Sequence, residues 1–415
     1  MKEKDIILTE LLSASIRNEK VDIESYKGRN TDWQEIFLEA GAHQVHTLIY
    51  PAIKSFSESI GLEGTVMERW KQAVMSCGFQ MICDEVWIGE VLEILNSYGI
   101  KTIVLKGMVI NKLYPYPELR TMGDSDILVC EKDLEKASEI LQGMGYVQKK
   151  DINTKHVEFH KDNFIAIELH RLLADYSFIR NADTLNNDAW SNPIEIIIGN
   201  TKTLALSWEM QVVHSLIHMA SHISHGGIGL RQLCDLVIII EKGHDKIDWN
   251  IVHHKSIKYG VDHFMFAIFA VCKRLFNVNI PSVLSSEINI NNEKVELLIE
   301  DILTGGNFGK KDLKRTSANV LVNNSGGGKD QLYGNKLVNA INIIFPSRDK
   351  MAYRYKYLYV NKNPLLLPVA WIHRIAYGIT RKDFNFNHKK AIFKDDSLIN
   401  MARDRNNLLE WLGLR

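Results

Sequence analysis

Apolar positions recur at three- and four-residue spacing through DIILTELLSASI and DEVWIGEVLEILNSYG, so residues 1–98 read as helices. The second run stops at Gly99, a residue suited to a helix C-terminus. At Ile100 the pattern changes. KTIVL is a short β-rich run, MVINKLY after Gly107 is a short helical stretch, and DSDILVC is a second strand. Asp133 stands where a capping residue belongs, before DLEKASEILQGMG, whose Leu134, Ala137, Leu141 and Met144 share one face. YVQKK and HVEFHK follow as hairpin strands and FIAIELH as a further strand. Residues 99–205 are thus expected to form an α+β module.

From Ser207 the helical period returns, with Ser207 as N-cap and Glu209 in the first turn, where the helix dipole favours it. EMQVVHSLIHMASHI, LRQLCDLVIIIEKG and HFMFAIFAVCKRLF predict a helical domain over 206–304. Residues 305–335, rich in Gly, Asn, Lys and Ser, predict a flexible loop, and 336–415 a C-terminal helical region. There is no internal repeat. The fold class expected is α+β, a central mixed-sheet module flanked by N-terminal and C-terminal helical regions.

Composition narrows the partners. Of 415 residues, 46% are apolar and 24% charged, an ordinary globular balance. Net charge is zero, which gives no global signal for nucleic acid or an acidic membrane and disfavours a long nucleic acid as partner. MKEKDIILTELLSASIRNEK lacks the apolar run of a signal peptide. The longest apolar stretch, PLLLPVAWIHRIAYGI, is broken by Pro368, His373 and Arg374, so no transmembrane segment is expected. Cys77, Cys83, Cys130, Cys234 and Cys272 are scattered and never in a CxxC pair. They read as reduced, mostly buried thiols of a cytoplasmic protein.

The chemistry concentrates in LKGMVINKLYPYPELRTMGDSDILV. Asp124 and Asp126, two residues apart on a strand, put both carboxylates on one face. Such a pair repels itself unless a cation intervenes, and magnesium suits carboxylates together with the phosphates of a nucleotide. Glu168, at the end of an apolar run, fits as a third carboxylate, to complete the metal site or accept the proton of an attacking hydroxyl. Lys106 and Arg120 supply positive charge for a triphosphate, and Gly107 opens a helix whose first N–H groups face outward. His170 shares the strand face of Glu168, where it either supports the carboxylates from behind or contacts the nucleotide.

The spacing strand–KG–helix–loop–RxxxDxD–apolar strand, then a strand with a lone Glu, resembles the DNA polymerase β-like nucleotidyltransferase superfamily. Within it, LKG…R…GDSDILV, a GY-terminated helix and an ELH strand resemble a largely bacterial family labelled simply nucleotidyltransferase family protein. The resemblance is sharp over residues 100–172 and weaker over 207–240, where the family shows a His-rich helix and an Arg-x-x-x-Asp pattern, here Arg231 and Asp235. It implies metal carboxylates at Asp124, Asp126 and Glu168, and a phosphate-binding turn at Gly107. It implies Mg²⁺, or Mn²⁺ in its place, with a nucleoside triphosphate, ATP in the first instance, giving its nucleotidyl group to an unidentified acceptor. One departure is Met108, where the superfamily has Ser or Gly after the turn glycine. Two rival functions stay open: phosphoryl transfer by the same cleft, and a non-catalytic nucleotide-sensing or partner-binding module.

Other signals read more plainly. His214, His218 and His222 share a helix face without the acid of HExxH, and are expected as core or cleft histidines. Arg231 and Asp235, at i and i+4, are expected to pair. TGGNFGKKD is one residue too short for a phosphate loop and has Lys311 where Ser or Thr belongs. YRYKYLYVNKNPLLLPVAWIHRIAYGITRK could meet nucleic acid or a membrane surface, but is expected as a helix packed on the fold.

Overall fold

The computed structural model describes residues 1–22, 24, 26, 31–62, 64–149, 155–174, 179–285, 291–309, 315, 318–319, 322, 345–348, 351, 357, 359–380 and 396–415. Four helices lead the chain: α1 Glu3–Arg17, α2 Trp33–Ala42, α3 Tyr50–Phe56 and α4 Thr65–Ser97. α4 begins well ahead of the periodic run at Asp84, because its earlier turns bury only Met67, Trp70 and Met81 and so show no continuous stripe. It ends as expected, with Gly99 at φ 75° turning the chain into the sheet.

Seven strands form one mixed sheet: β1 Thr102–Leu105, β2 Asp124–Val129, β3 Val147–Gln148, β4 His156–His160, β5 Ala166–His170, β6 Ile194–Ile198 and β7 Thr201–Ala205. Their order is β3-β4-β5-β2-β1-β7-β6. β2 runs parallel to β5 and antiparallel to β1, and β1 runs parallel to β7. The β6–β7 hairpin goes beyond the strands read from the sequence. Ile198 pairs with Thr201, so Gly199 and Asn200 form a two-residue turn, with Gly199 at φ 56°. α4 lies close against that turn; a Cβ on Gly89 would stand 2.9 Å from the Ile198 carbonyl oxygen.

Strand alternation gives the sheet two unlike faces. Val104, Ile127, Val129, Phe159, Ile167 and Leu169 pack against Ile88, Val91, Leu92 and Leu95 of α4 and against Ala137 and Leu141 of α6 (Leu134–Gly143). A buried aliphatic or aromatic side chain of this kind contributes about 1.5–3 kcal/mol. On the other face Ile103, Leu105 and Leu128 join a larger core. Asp124, Asp126, Glu168 and His170 occupy the same face further along the strands. Asp133 precedes α6 but its side chain makes no capping bond; a 3-10 turn, Glu131–Asp133, leads into the helix instead.

The charged end of the face is covered by helices. α5 (Gly107–Ile110) follows β1, and α7 (Ala182–Ser191) precedes the hairpin. α8 Trp208–His225, α9 Leu230–Lys242, α10 Trp249–Tyr259, α11 Asp262–Phe276, α12 Ser282–Ser285 and α13 Asn292–Gly305 come next. The Ser207 side chain accepts from the Met210 amide, capping α8 as the sequence predicts. The larger core runs from Ile7 of α1 through these helices to Leu412.

Three further helices are described: α14 Tyr359–Lys362, α15 Leu367–Thr380 and α16 Asp396–Trp411. Arg405 of α16 pairs with Asp301 of α13 at 2.6 Å, and Arg315 joins the same carboxylate. α15 is a helix as expected, with one side packed among the described residues. It packs on a small cluster of Met351, Tyr357 and Val360 through Leu367, Ala370 and Trp371, while Val369 and Ile372 stand in solvent. The expected loop at 305–335 lies largely outside the described residues; within it Asn307–Gly309 form a 3-10 turn. No helix among the described residues is long and apolar enough to cross a membrane. The five cysteines are unpaired, but only Cys234 and Cys272 are buried, and Cys83 is exposed.

Candidate active site

The site begins with strand register. Asp126 pairs with Glu168 across the parallel strands β2 and β5, and Asp124 pairs with Ala166. Three carboxylates therefore share one face. His156 of β4 lies opposite His170 of β5 and completes the patch.

His170 is fully buried behind the carboxylates. Its Nε2 lies 2.8 Å from Asp126 Oδ1 and 3.1 Å from Glu168 Oε2, bridging the two acids. It does not line the cavity and sits behind the two acids that it bridges. His156 Nδ1 is 3.3 Å from Glu168 Oε2, and one ligand atom from each of His156, Glu168 and His170 falls within 4.8 Å of the others.

Lys106 reaches Asp126 Oδ1 from the opposite side at 3.0 Å. The turn that carries it is unusual, since Lys106 has φ 48° and ψ −114°, a conformation non-glycine residues rarely adopt. The turn pair is thus Lys106–Gly107. Met108 falls inside α5 with its side chain buried in the core, so it does not occupy the turn. Gly107 admits no side chain without displacement: a Cβ there would stand 2.6 Å from Met122 Sδ and 3.2 Å from Arg120 Nη1.

Arg120 is buried, and Asp235 of α9 accepts from its Nε at 2.7 Å and its Nη2 at 2.6 Å. Tyr114 donates to the same carboxylate at 2.8 Å. Asp235 therefore belongs to Arg120 and not to Arg231, as helix spacing alone suggested. Arg231 turns away and donates to the Thr121 carbonyl at 2.7 Å. Arg120 Nη1 and Arg231 Nε are buried without a hydrogen-bond partner, and both residues line the cavity.

That cavity, of 360 Å³, opens between the carboxylate face and the helices. Lys106, Gly107, Arg120, Asp124, Asp126 and Glu168 all line it, so the sequence-predicted residues converge apart from His170. Residues not assigned to the site from sequence also line the cavity: Lys155 beside β4, and Arg231, Phe308, His218 and His222 from the helical side. The two histidine Nε2 atoms lie 2.8 Å apart, so one ring donates to the other. His214 is buried one turn earlier, outside the cavity. Phe308, at φ 59°, sets its ring 4.7 Å from that of His222.

The electrostatics follow from burial and neighbours. Burial alone would push the Asp126 carboxyl up, but Lys106 and His170 hold it well below the usual carboxylate range. Glu168 is held down by the His170 hydrogen bond in the same contest. Asp124 opens onto the cleft. Desolvation by its walls, then the charges of Asp126 and Glu168, raise its carboxyl to about 6. Burial, reinforced by Lys106, lowers His218 far below its usual value and His222 to about 3, so both are neutral imidazoles at neutral pH.

A solved structure of an antigenic nucleotidyltransferase-like protein from Paracoccidioides brasiliensis is 12% identical to this chain. That match covers 50% of this chain and 96% of that one, with a TM-score of 0.31, too low to carry an argument. Among curated proteins the comparison finds no match. A family model described as uncharacterised nucleotidyltransferase matches residues 29–277, more than half of the chain and the whole of the carboxylate site. The chain therefore belongs to that nucleotidyltransferase family and is an enzyme of its class.

Proposed function

We propose that the cleft transfers a nucleotidyl group from a nucleoside triphosphate, ATP in the first instance, to an acceptor, with magnesium held by Asp124, Asp126 and Glu168. The observation that carries this reading is the strand register that sets three carboxylates on one face; burial first, and then the charges of Asp126 and Glu168, raises Asp124 to about 6. That is an excess of negative charge which a divalent cation relieves. The oxygen donors suit magnesium, and the imidazoles of His156 and His170 near Glu168 make manganese an acceptable substitute. When bound, the metal supplies charge neutralisation for the carboxylates and the triphosphate oxygens.

The chain's own groups divide the remaining work. Lys106 and His170 keep Asp126 ionised and ready to act as a ligand. Arg120 and Arg231 line the cavity and set their guanidinium charge where a triphosphate would lie. α5 is too short for much of a helix dipole, but its first-turn N–H groups lack helical partners, and Gly107 lines the cavity. The acceptor oxygen bonds the α-phosphorus, the bond from that phosphorus to the β-bridging oxygen breaks, and pyrophosphate leaves with the electron pair. The acceptor's proton passes to a carboxylate or to water. His170 lowers Glu168 and so favours its role as a ligand over that of a base.

The test is product analysis. The chain is incubated with each nucleoside triphosphate and magnesium, and the slow transfer to water is followed. Pyrophosphate with nucleoside monophosphate, lost in Glu168→Gln, is the expected result. Orthophosphate with nucleoside diphosphate would instead favour phosphoryl transfer.

A further inference from the structure

α4 carries an apolar ridge that the fold leaves in solvent. Met75, Phe79, Ile82 and Val86 are 74, 72, 62 and 55% exposed. Their alternating four- and three-residue spacing places them in one stripe, as at a coiled-coil seam. Single exposed apolar residues are ordinary, whereas an uninterrupted row of four large ones marks a contact surface. The exposed neighbours Ser76, Gln80 and Cys83 are uncharged. The opposite side of the helix is already occupied, with Met81, Ile88, Val91 and Leu92 in the core.

The stripe has the same design read from either end. Met75 and Val86, Phe79 and Ile82, and the exposed charges Lys71 and Glu90 each lie equally far from the point between Gln80 and Met81. We propose that this ridge pairs with the ridge of a second copy, antiparallel, about a two-fold axis through that point. Met75 then comes level with the second copy's Val86, and Phe79 with its Ile82. Lys71 comes level with its Glu90 at both ends of the seam. A parallel pairing would set Lys71 beside Lys71 and Glu90 beside Glu90, so charge selects the antiparallel form. Lys71 is bonded to Glu68 at 2.8 Å, but both are exposed, and such a pair is weak and readily shared. The resulting contact is isologous and closes as a dimer.

The experiment uses the full chain at high micromolar concentration, with mass read by light scattering after gel filtration. Wild type is expected at dimer mass. Phe79→Lys with Ile82→Lys is expected at monomer mass with unchanged circular dichroism, because both side chains are exposed in the single chain, and with a melting temperature that, unlike that of wild type, does not rise with protein concentration. Lys71→Glu weakens the dimer about tenfold, and adding Glu90→Lys restores it. Cys83 flanks the seam, with the two copies' residues about 10 Å apart, so a short bis-maleimide joins wild-type chains and not Cys83→Ser. A monomeric wild type overturns the proposal, even if the ridge captures another protein. So does a dimer that survives the double lysine variant.

Discussion

Arg120 and Asp235 lie 115 residues apart and meet as a two-pronged buried ion pair, with N–O distances of 2.7 and 2.6 Å. The pair ties the loop before β2 to α9, and both residues line the cavity. It also fixes where the guanidinium stands relative to Asp124 on the following strand.

Asp235→Asn should cost about 3–5 kcal/mol in a urea titration, because it leaves the Arg120 charge buried without its partner. Arg120→Lys should lose much of the same stability, since an ammonium cannot grip both oxygens. A change below 1 kcal/mol in either variant would show that the pair does not brace the cleft.

Asp124→Asn tests the charge excess. The folded-state value near 6 stands above the ordinary 3.8, so the ionised carboxylate costs stability above pH 6. That cost is relieved as pH falls from 6 towards 4, where the folded state takes up a proton before the unfolded chain does. Without metal, the variant should melt higher than wild type above pH 6, with the difference shrinking towards pH 4. Equal melting temperatures at every pH would mean that neither burial nor the neighbouring carboxylates penalise the ionised Asp124.

His170→Ala removes the donor that bridges Asp126 and Glu168. The metal-free protein should lose about 1–3 kcal/mol, the cost of leaving buried acceptors unsatisfied. Magnesium should recover part of the loss by neutralising the same oxygens. Differential scanning with and without magnesium reads both effects; a loss identical in the two conditions would separate His170 from the carboxylate cluster.

What the sequence made legible was local. Asp124 and Asp126 share a face because a strand's period is two, and that holds in any tertiary setting. Glu168 is marked by its place at the end of an apolar run and strengthened by resemblance, but its pairing with Asp126 depends on the register of strands brought together in space. The partner of Arg120 was out of reach for the same reason: Asp235 has Arg231 at i−4, and helix spacing points to the wrong arginine. Lys106 at φ 48° leaves no trace in residue type, because lysine seldom adopts that conformation. The burial of His170 was hidden too, as its strand face looks the same whether it meets a cleft or a wall. The β6–β7 hairpin had a signal in Gly199–Asn200, but the unbroken run Ile196–Ile198 obscured the alternation beside it.

The central claim is a metal-dependent nucleotide site on Asp124, Asp126 and Glu168. Its most direct test is the melting temperature of wild type and Asp126→Ala with ATP, GTP, CTP and UTP, each with and without magnesium. A ligand at about a hundred times its dissociation constant adds roughly 2.7 kcal/mol, enough to see. At least one nucleotide should stabilise wild type only when magnesium is present, and Asp126→Ala should not respond. No shift in wild type with any nucleotide, or the same magnesium-dependent shift in the variant, would contradict the claim.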